Sequence, residues 1–265
     1  MVKSMNIDIG NYKTEGKQSN FFGRLFPTAY FYTSLMKIVF SASSLAKKGK
    51  YNDEEWIKSS YDVVKLLEKV GCNIEITGTE NFKSINEPVV FIGNHMSTLE
   101  TFILPCLIHP KKPVTFVVKK SLVEYPVFRH IMVARDPIVV SRDNPREDLK
   151  TVLNDGTEKL SKGVSVIVFP QTTRTPVFDS KQFNTIGIKL AKKAGVKVVP
   201  VALKTDAWTN GKLIKDFGKI YPERKVRFAF GKPMSITGRG DEEHEAVISF
   251  IKEHLKSWEH PYIVS

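Results

Sequence analysis

The 265-residue chain is 42% hydrophobic, enough to bury a full core, and it fits one large domain better than two small ones. Its 40 Lys and Arg outnumber 28 Asp and Glu for a net charge of +12, which favours an anionic partner: nucleic acid, an anionic membrane or an anionic small substrate. Cys72 and Cys106, far apart and without a His/Cys cluster, give neither a zinc pattern nor a disulfide framework, and a reducing cytosolic setting is the simpler reading.

The first 20 residues are polar and lack the apolar core of a cleavable signal peptide. Residues 25–46, LFPTAYFYTSLMKIVFSASSLA, differ sharply, with Lys37 as their one charge and the basic Lys47, Lys48 and Lys50 beyond them. As a helix this segment would be about 33 Å long, near the thickness of a bilayer core, yet Lys37 and its many hydroxyls make a poor free span. It is read as an interfacial, membrane-associating helix on a cytoplasmic leaflet, peripheral or monotopic, with a helix packed on the main domain as the alternative.

Helical periodicity runs from about residue 54 to 70 and stops at Gly71, where a boundary is placed: residues 1–70 as an N-terminal helical, membrane-associating region and 71–265 as the main domain. From there short apolar runs recur at NIEITG, PVVFIGN, VTFVVKK, PIVVSR, VSVIVFP, VKVVPVAL and KVRFAFG. Most are uninterrupted, as expected of strands covered on both faces. Helices are predicted between them at 98–108, 125–133, 146–161 and 183–194, with a last one at 241–257. Strands alternating with helices predict an α/β fold, a sheet of about seven strands covered by helices.

Sites in such folds form where strands end. His95 follows the strand FIGN, and Glu100 follows it by five positions. Inside one helix the two would lie about 140° apart and could not touch, so a pair requires His95 in the strand-to-helix turn. There a carboxylate can fix the imidazole tautomer and make a base for an alcohol. The same letters, Ser97-Thr98-Leu99-Glu100, also read as a capping box, with Glu100 returning a hydrogen bond to the backbone. Arg142 ends PIVVSR, and Gln171, Thr172, Thr173 and Arg174 follow VSVIVFP; these groups suit a phosphate or carboxylate, although an arginine after a strand is often only a solvated end.

In this order, the blocks NHMSTLE, PIVVSR, VFPQTTRT and VVPVAL, with FNTIGIKLAKKAG between the last two and KVRFAFGKPM closing the run, resemble the glycerolipid acyltransferase family. The resemblance covers residues 78–234 and implies that family's mixed sheet. It implies acyl transfer from a thioester, acyl-coenzyme A or acyl carrier protein, to the free hydroxyl of 1-acylglycerol-3-phosphate, giving phosphatidic acid. His95 would match the general base and Glu100 the acid that orients it. Arg142, Gln171, Thr172, Thr173 and Arg174 would match the groups that hold the acceptor's phosphate. No metal or other cofactor is implied. Glu100 stands where the family usually has Asp, and Gln171-Thr172 where it usually has Glu-Gly. These departures keep two alternatives open: another lysolipid acceptor, or an inactive lipid-binding relative. A nucleic-acid module is disfavoured because the Lys pairs at 111–112, 119–120 and 192–193 are scattered and lack interleaved stacking aromatics.

Overall fold

A computed structural model describes residues 10–16, 19–171, 173–212, 214–261 and 263–264. From the N-terminus the chain forms β1 (Tyr12–Lys13), α1 (Phe21–Leu25), α2 (Pro27–Lys47), α3 (Asp53–Lys69), β2 (Ile74–Thr77), α4 (Glu80–Lys83), β3 (Val89–Gly93) and α5 (Leu99–Ile108). The middle holds β4 (Val114–Lys119), α6 (Lys120–Glu124), α7 (Arg129–Ala134), β5 (Ile138–Val140), α8 (Pro145–Ser161) and β6 (Ser165–Val168). Then come β7 (Phe178–Asp179), α9 (Ile186–Ala194), β8 (Lys197–Lys204), β9 (Val226–Phe230), α10 (Asp241–Ser257) and β10 (Ile263–Val264).

Eight strands form one mixed sheet in the order β1-β2-β9-β8-β3-β6-β4-β5. All seven predicted strands are present, and β1 adds an antiparallel edge on β2 that two residues in a polar stretch do not announce. Strands β8, β3, β6, β4 and β5 run parallel, so their C-terminal ends share one edge. β3 is buried at every position, with one core on each face of the sheet. Pro200 sits inside β8 without a ladder donor, and the neighbouring chain accommodates it. Gly231 N–H donates to Pro200 C=O at 2.8 Å, and the next pairing on that side skips to Val198 and Met234.

Helix boundaries follow local chemistry. The predicted helix at 125–133 forms only from Arg129, as α7, because Pro126 holds Tyr125 extended, at ψ 122°; the short α6, which ends at Glu124, is not predicted. In α5, Pro105 interrupts the helix ladder; the Ser60 hydroxyl of α3 donates to Phe102 C=O at 2.6 Å and accepts from Cys106 N–H at 3.0 Å across the gap.

The 25–46 segment becomes the end of α1 and most of α2. Phe31, Leu35, Val39 and Ala42, spaced at helical intervals, are buried in the same core as the sheet residues Phe91, Val201 and Phe228. Phe31 meets Trp208 edge to face at 4.9 Å. Among the described residues no helix is long and apolar enough to cross a membrane. Phe21, Phe22, Leu25 and Phe26 are more than half exposed and form an apolar rim around α1. Phe31→Ala is expected to lower the unfolding free energy by about 3–5 kcal/mol, read as a shift in the urea midpoint. A midpoint within error of wild type would mean that α2 contributes nothing to the core.

Candidate active site

At the C-terminal end of β3 the Asn94 side chain extends the pairing with β8 by one step. Its Oδ1 accepts Leu203 N–H at 2.9 Å and its Nδ2 donates to Leu203 C=O at 2.8 Å. The main chain leaves the sheet at His95, in the strand-to-helix turn. There the loop after β6 holds both backbone groups of His95: the N–H donates to Gln171 Oε1 at 2.7 Å, and the C=O accepts Thr175 N–H at 3.0 Å. The imidazole stacks on Phe169, with centroids 4.4 Å apart and planes within 5°. Backbone and ring are thus fixed independently.

Glu100, in the first turn of α5, is fully buried. Its carboxylate accepts Met96 N–H at 2.6 Å, Ser97 N–H at 3.0 Å and the Ser97 hydroxyl at 3.1 Å. Ser97 Oγ in turn accepts Leu99 N–H at 3.1 Å, so the capping arrangement exists. The same Oε1 lies 3.6 Å from His95 Nδ1, an electrostatic contact just beyond hydrogen-bond length. Among the described residues Nδ1 has no hydrogen-bond partner. One carboxylate therefore closes the helix start and faces the histidine. Burial pushes the Glu100 pKa up, but the imidazole and the backbone donors outweigh it and hold the group below its ordinary 4.5.

Cationic groups gather at the same edge of the sheet. Arg142, just past β5, adopts a left-handed backbone with φ 65°, a conformation costing about 1–2 kcal/mol for a side-chain-bearing residue. Asp148 of α8 holds that turn, accepting Ser141 N–H at 2.9 Å and Arg142 N–H at 2.8 Å. Burial and then the nearby Arg174 guanidinium lower the Arg142 pKa, while Asp148 works in the opposite direction. Two like charges brought together in this way suit an anion.

Arg174 donates from Nη1 to Thr98 Oγ1 and pairs with Asp216. Thr173 Oγ1 accepts from Lys215 Nζ at 2.8 Å. The structure thus brings His95, Glu100, Gln171 and Arg174 together, while Thr173 is exposed and touches Lys215, and Arg142 lies within electrostatic reach of Arg174. Gln171 directs its carbonyl oxygen at the histidine's backbone. Thr172 lies outside the described residues.

The sequence reading does not single out Phe169, Asn94, Thr98, Lys215 or Asp216 as site residues. Phe169 and Asn94 sit inside the blocks of the resemblance, Asn94 beside His95 and Phe169 two positions before Gln171. Asp216 is 42 positions from Arg174 and belongs to no block, so no letter pattern signals it.

The Acyltransferase family model matches residues 73–204. The 1-acyl-sn-glycerol-3-phosphate acyltransferase of Pseudomonas aeruginosa is 32% identical over 149 residues, 56% of this chain and 55% of that protein. The protein of the same name from Saccharomyces cerevisiae is 31% identical over 160 residues, 58% of this chain and 50% of its own. The chain thus spans about half the length of the curated relatives it matches. The crystal structure of the 1-acyl-sn-glycerophosphate acyltransferase from Thermotoga maritima shares the fold, with a TM-score of 0.67 over 89% of this chain and 96% of that one, at 21% identity. Because the family match takes in all four sequence blocks and the histidine turn they build, the chain belongs to the acyltransferase family.

Proposed function

We propose that the protein transfers a fatty acyl chain from a thioester to the free hydroxyl of 1-acylglycerol-3-phosphate, forming phosphatidic acid. The carrying observation is that a histidine–carboxylate pair and two guanidinium groups share one edge of one sheet. His95 Nε2 takes the hydroxyl proton as that oxygen attacks the thioester carbonyl carbon, and the Glu100 carboxylate stabilises the imidazolium that forms. The C–S bond then breaks and the proton passes from the imidazolium to the departing sulfur, giving ester and free thiol. Arg142 and Arg174, with Thr173, hold the acceptor's phosphate. The names of the curated relatives support this acceptor; the acyl donor in this reading is acyl-coenzyme A or acyl carrier protein.

The test is thiol release from acyl-coenzyme A and from acyl carrier protein in micelles, with lysophosphatidic acid set against other lysolipids. Release that requires lysophosphatidic acid supports the reading. Release with another lysolipid alone moves the acceptor, and no release with any acceptor or donor sinks it.

A bilayer-borne acceptor also gives the exposed rim of α1 a purpose. Phe21, Phe22, Leu25 and Phe26 insert at the interface while Arg24, Lys47, Lys48 and Lys50 meet lipid phosphates, which makes the protein peripheral or monotopic on a cytoplasmic leaflet. Phe22→Ser with Phe26→Ser is expected to weaken binding to anionic vesicles, read by co-sedimentation, about a hundredfold or more, since each lost ring forfeits roughly 1.5–3 kcal/mol of burial. Unchanged binding would place the contact elsewhere.

A further inference from the structure

The segment between β8 and β9 lies outside every block, yet it meets both catalytic loops. Its neck is tight. Thr209 N–H and Oγ both donate to Lys219 C=O, at 3.1 and 2.9 Å, and a Cβ on Gly218 would come within 1.7 Å of Thr209 oxygen. Tyr32 of α2 donates to Gly218 C=O at 2.6 Å, and the Trp208 indole donates to Asp216 C=O at 3.2 Å. From this base the strap reaches the His95 turn through Asn210, whose Nδ2 donates to Met96 C=O at 3.0 Å, and the loop after β6 through Lys215. Between them the Asp216 carboxylate accepts from Thr98 Oγ1 at 3.0 Å and from Arg174.

We propose that Asp216 is a specificity-determining residue: its carboxylate occupies the anion-binding groups of Arg174 and Thr98, so that an acceptor must displace it, and a phosphate monoester does so where a phosphate diester does not. The inference rests on the proposed acceptor reading. Its physical basis is the difference in charge. A phosphomonoester carries nearly two negative charges at neutral pH and three free oxygens, whereas a diester carries one charge and two. Asp216 is 45% exposed at its side chain, so its pairing with Arg174 is weakened by water and yields to a stronger anion. A dianion that takes the guanidinium with two parallel bonds outcompetes the carboxylate. A diester offers Arg174 no more charge than Asp216 already does, and it meets the carboxylate's repulsion if both remain. Once displaced, the Asp216 carboxylate swings away from Arg174 and Thr98 while Tyr32 still holds the neck at Gly218 C=O, and Lys215 remains beside Thr173 to face the phosphate.

The experiment compares wild type, Asp216→Asn and Asp216→Glu, with lysophosphatidic acid as monoester and lysophosphatidylglycerol as diester, by thiol release and by amide hydrogen exchange of residues 209–219. In Asp216→Asn, kcat/KM for the diester is expected to rise about two- to fivefold more than for the monoester, the size of one partly screened charge pair. Asp216→Glu keeps the wild-type ratio. In wild type, lysophosphatidic acid speeds exchange of the strap and lysophosphatidylglycerol does not. A higher KM for the monoester in Asp216→Asn without gain for the diester would make Asp216 a scaffold for Arg174 and overturn the proposal, as would an unchanged ratio or a strap whose exchange ignores the monoester. Exchange needs no turnover, so an enzyme that released no thiol would defeat the acceptor reading while the strap's response still judged Asp216.

Discussion

His95→Ala is expected to reduce acyl transfer by about 10²–10⁴-fold, the usual worth of a positioned general base, while the protein stays folded. The backbone at this position is held by Gln171 Oε1 and Thr175 N–H, bonds that survive loss of the ring. What disappears is the stack on Phe169, about 0.5–1.5 kcal/mol beyond area burial, together with the contact to Glu100. Glu100 keeps its donors from Met96 and Ser97, so no bare charge is left in the core. Urea unfolding and thiol release on the same preparation separate the two effects. Activity within tenfold of wild type in a folded variant would remove His95 from the chemistry, and a variant that fails to fold would assign the histidine to structure.

The covering of the sheet is the part of the fold most legible in the sequence. Runs such as VVFIG and SVIV are uninterrupted because both faces are buried, and that alone separates them from the alternating strands of a half-exposed sheet. The strand-to-helix turn at His95 is legible for a related reason: Asn94, Gly93 and the hydroxyls of Ser97 and Thr98 mark where a ladder ends and a helix begins. The edge strand β1 is not legible, since two residues carry no periodicity and its position depends on Tyr12 reaching Glu68 across the chain. Asp216 is invisible for the deeper reason that its role is set by a partner 42 residues away, and a lone aspartate in a lysine-rich loop reads as solvated surface. Gln171 shows the opposite limit. Its block is legible, but the direction of its side chain toward the His95 backbone emerges only once the loop after β6 is laid against β3.

Glu100→Gln separates the two duties of one carboxylate. Oε1 faces Met96 N–H, Ser97 N–H and His95 Nδ1, so an amide that keeps its oxygen there preserves most of the cap and turns its NH₂ toward Ser97 N–H. That mismatch is expected to cost about 1–3 kcal/mol of stability, the usual penalty for an unsatisfied buried group. The kinetic effect is larger, because the amide has no charge with which to stabilise an imidazolium: kcat is expected to fall about 10²-fold or more with little change in acceptor KM. Acid titration gives an independent check. A carboxylate held below its unfolded 4.5 contributes stability that is fully present above that pH and is lost as pH falls through the folded value. Glu100→Gln should therefore be less stable than wild type at neutral pH, with the difference shrinking on acidification as wild type loses what the variant never had. Lost stability with unchanged kcat would reduce Glu100 to a helix cap. Lost kcat together with this narrowing gap would show one buried charge serving both the helix start and the base.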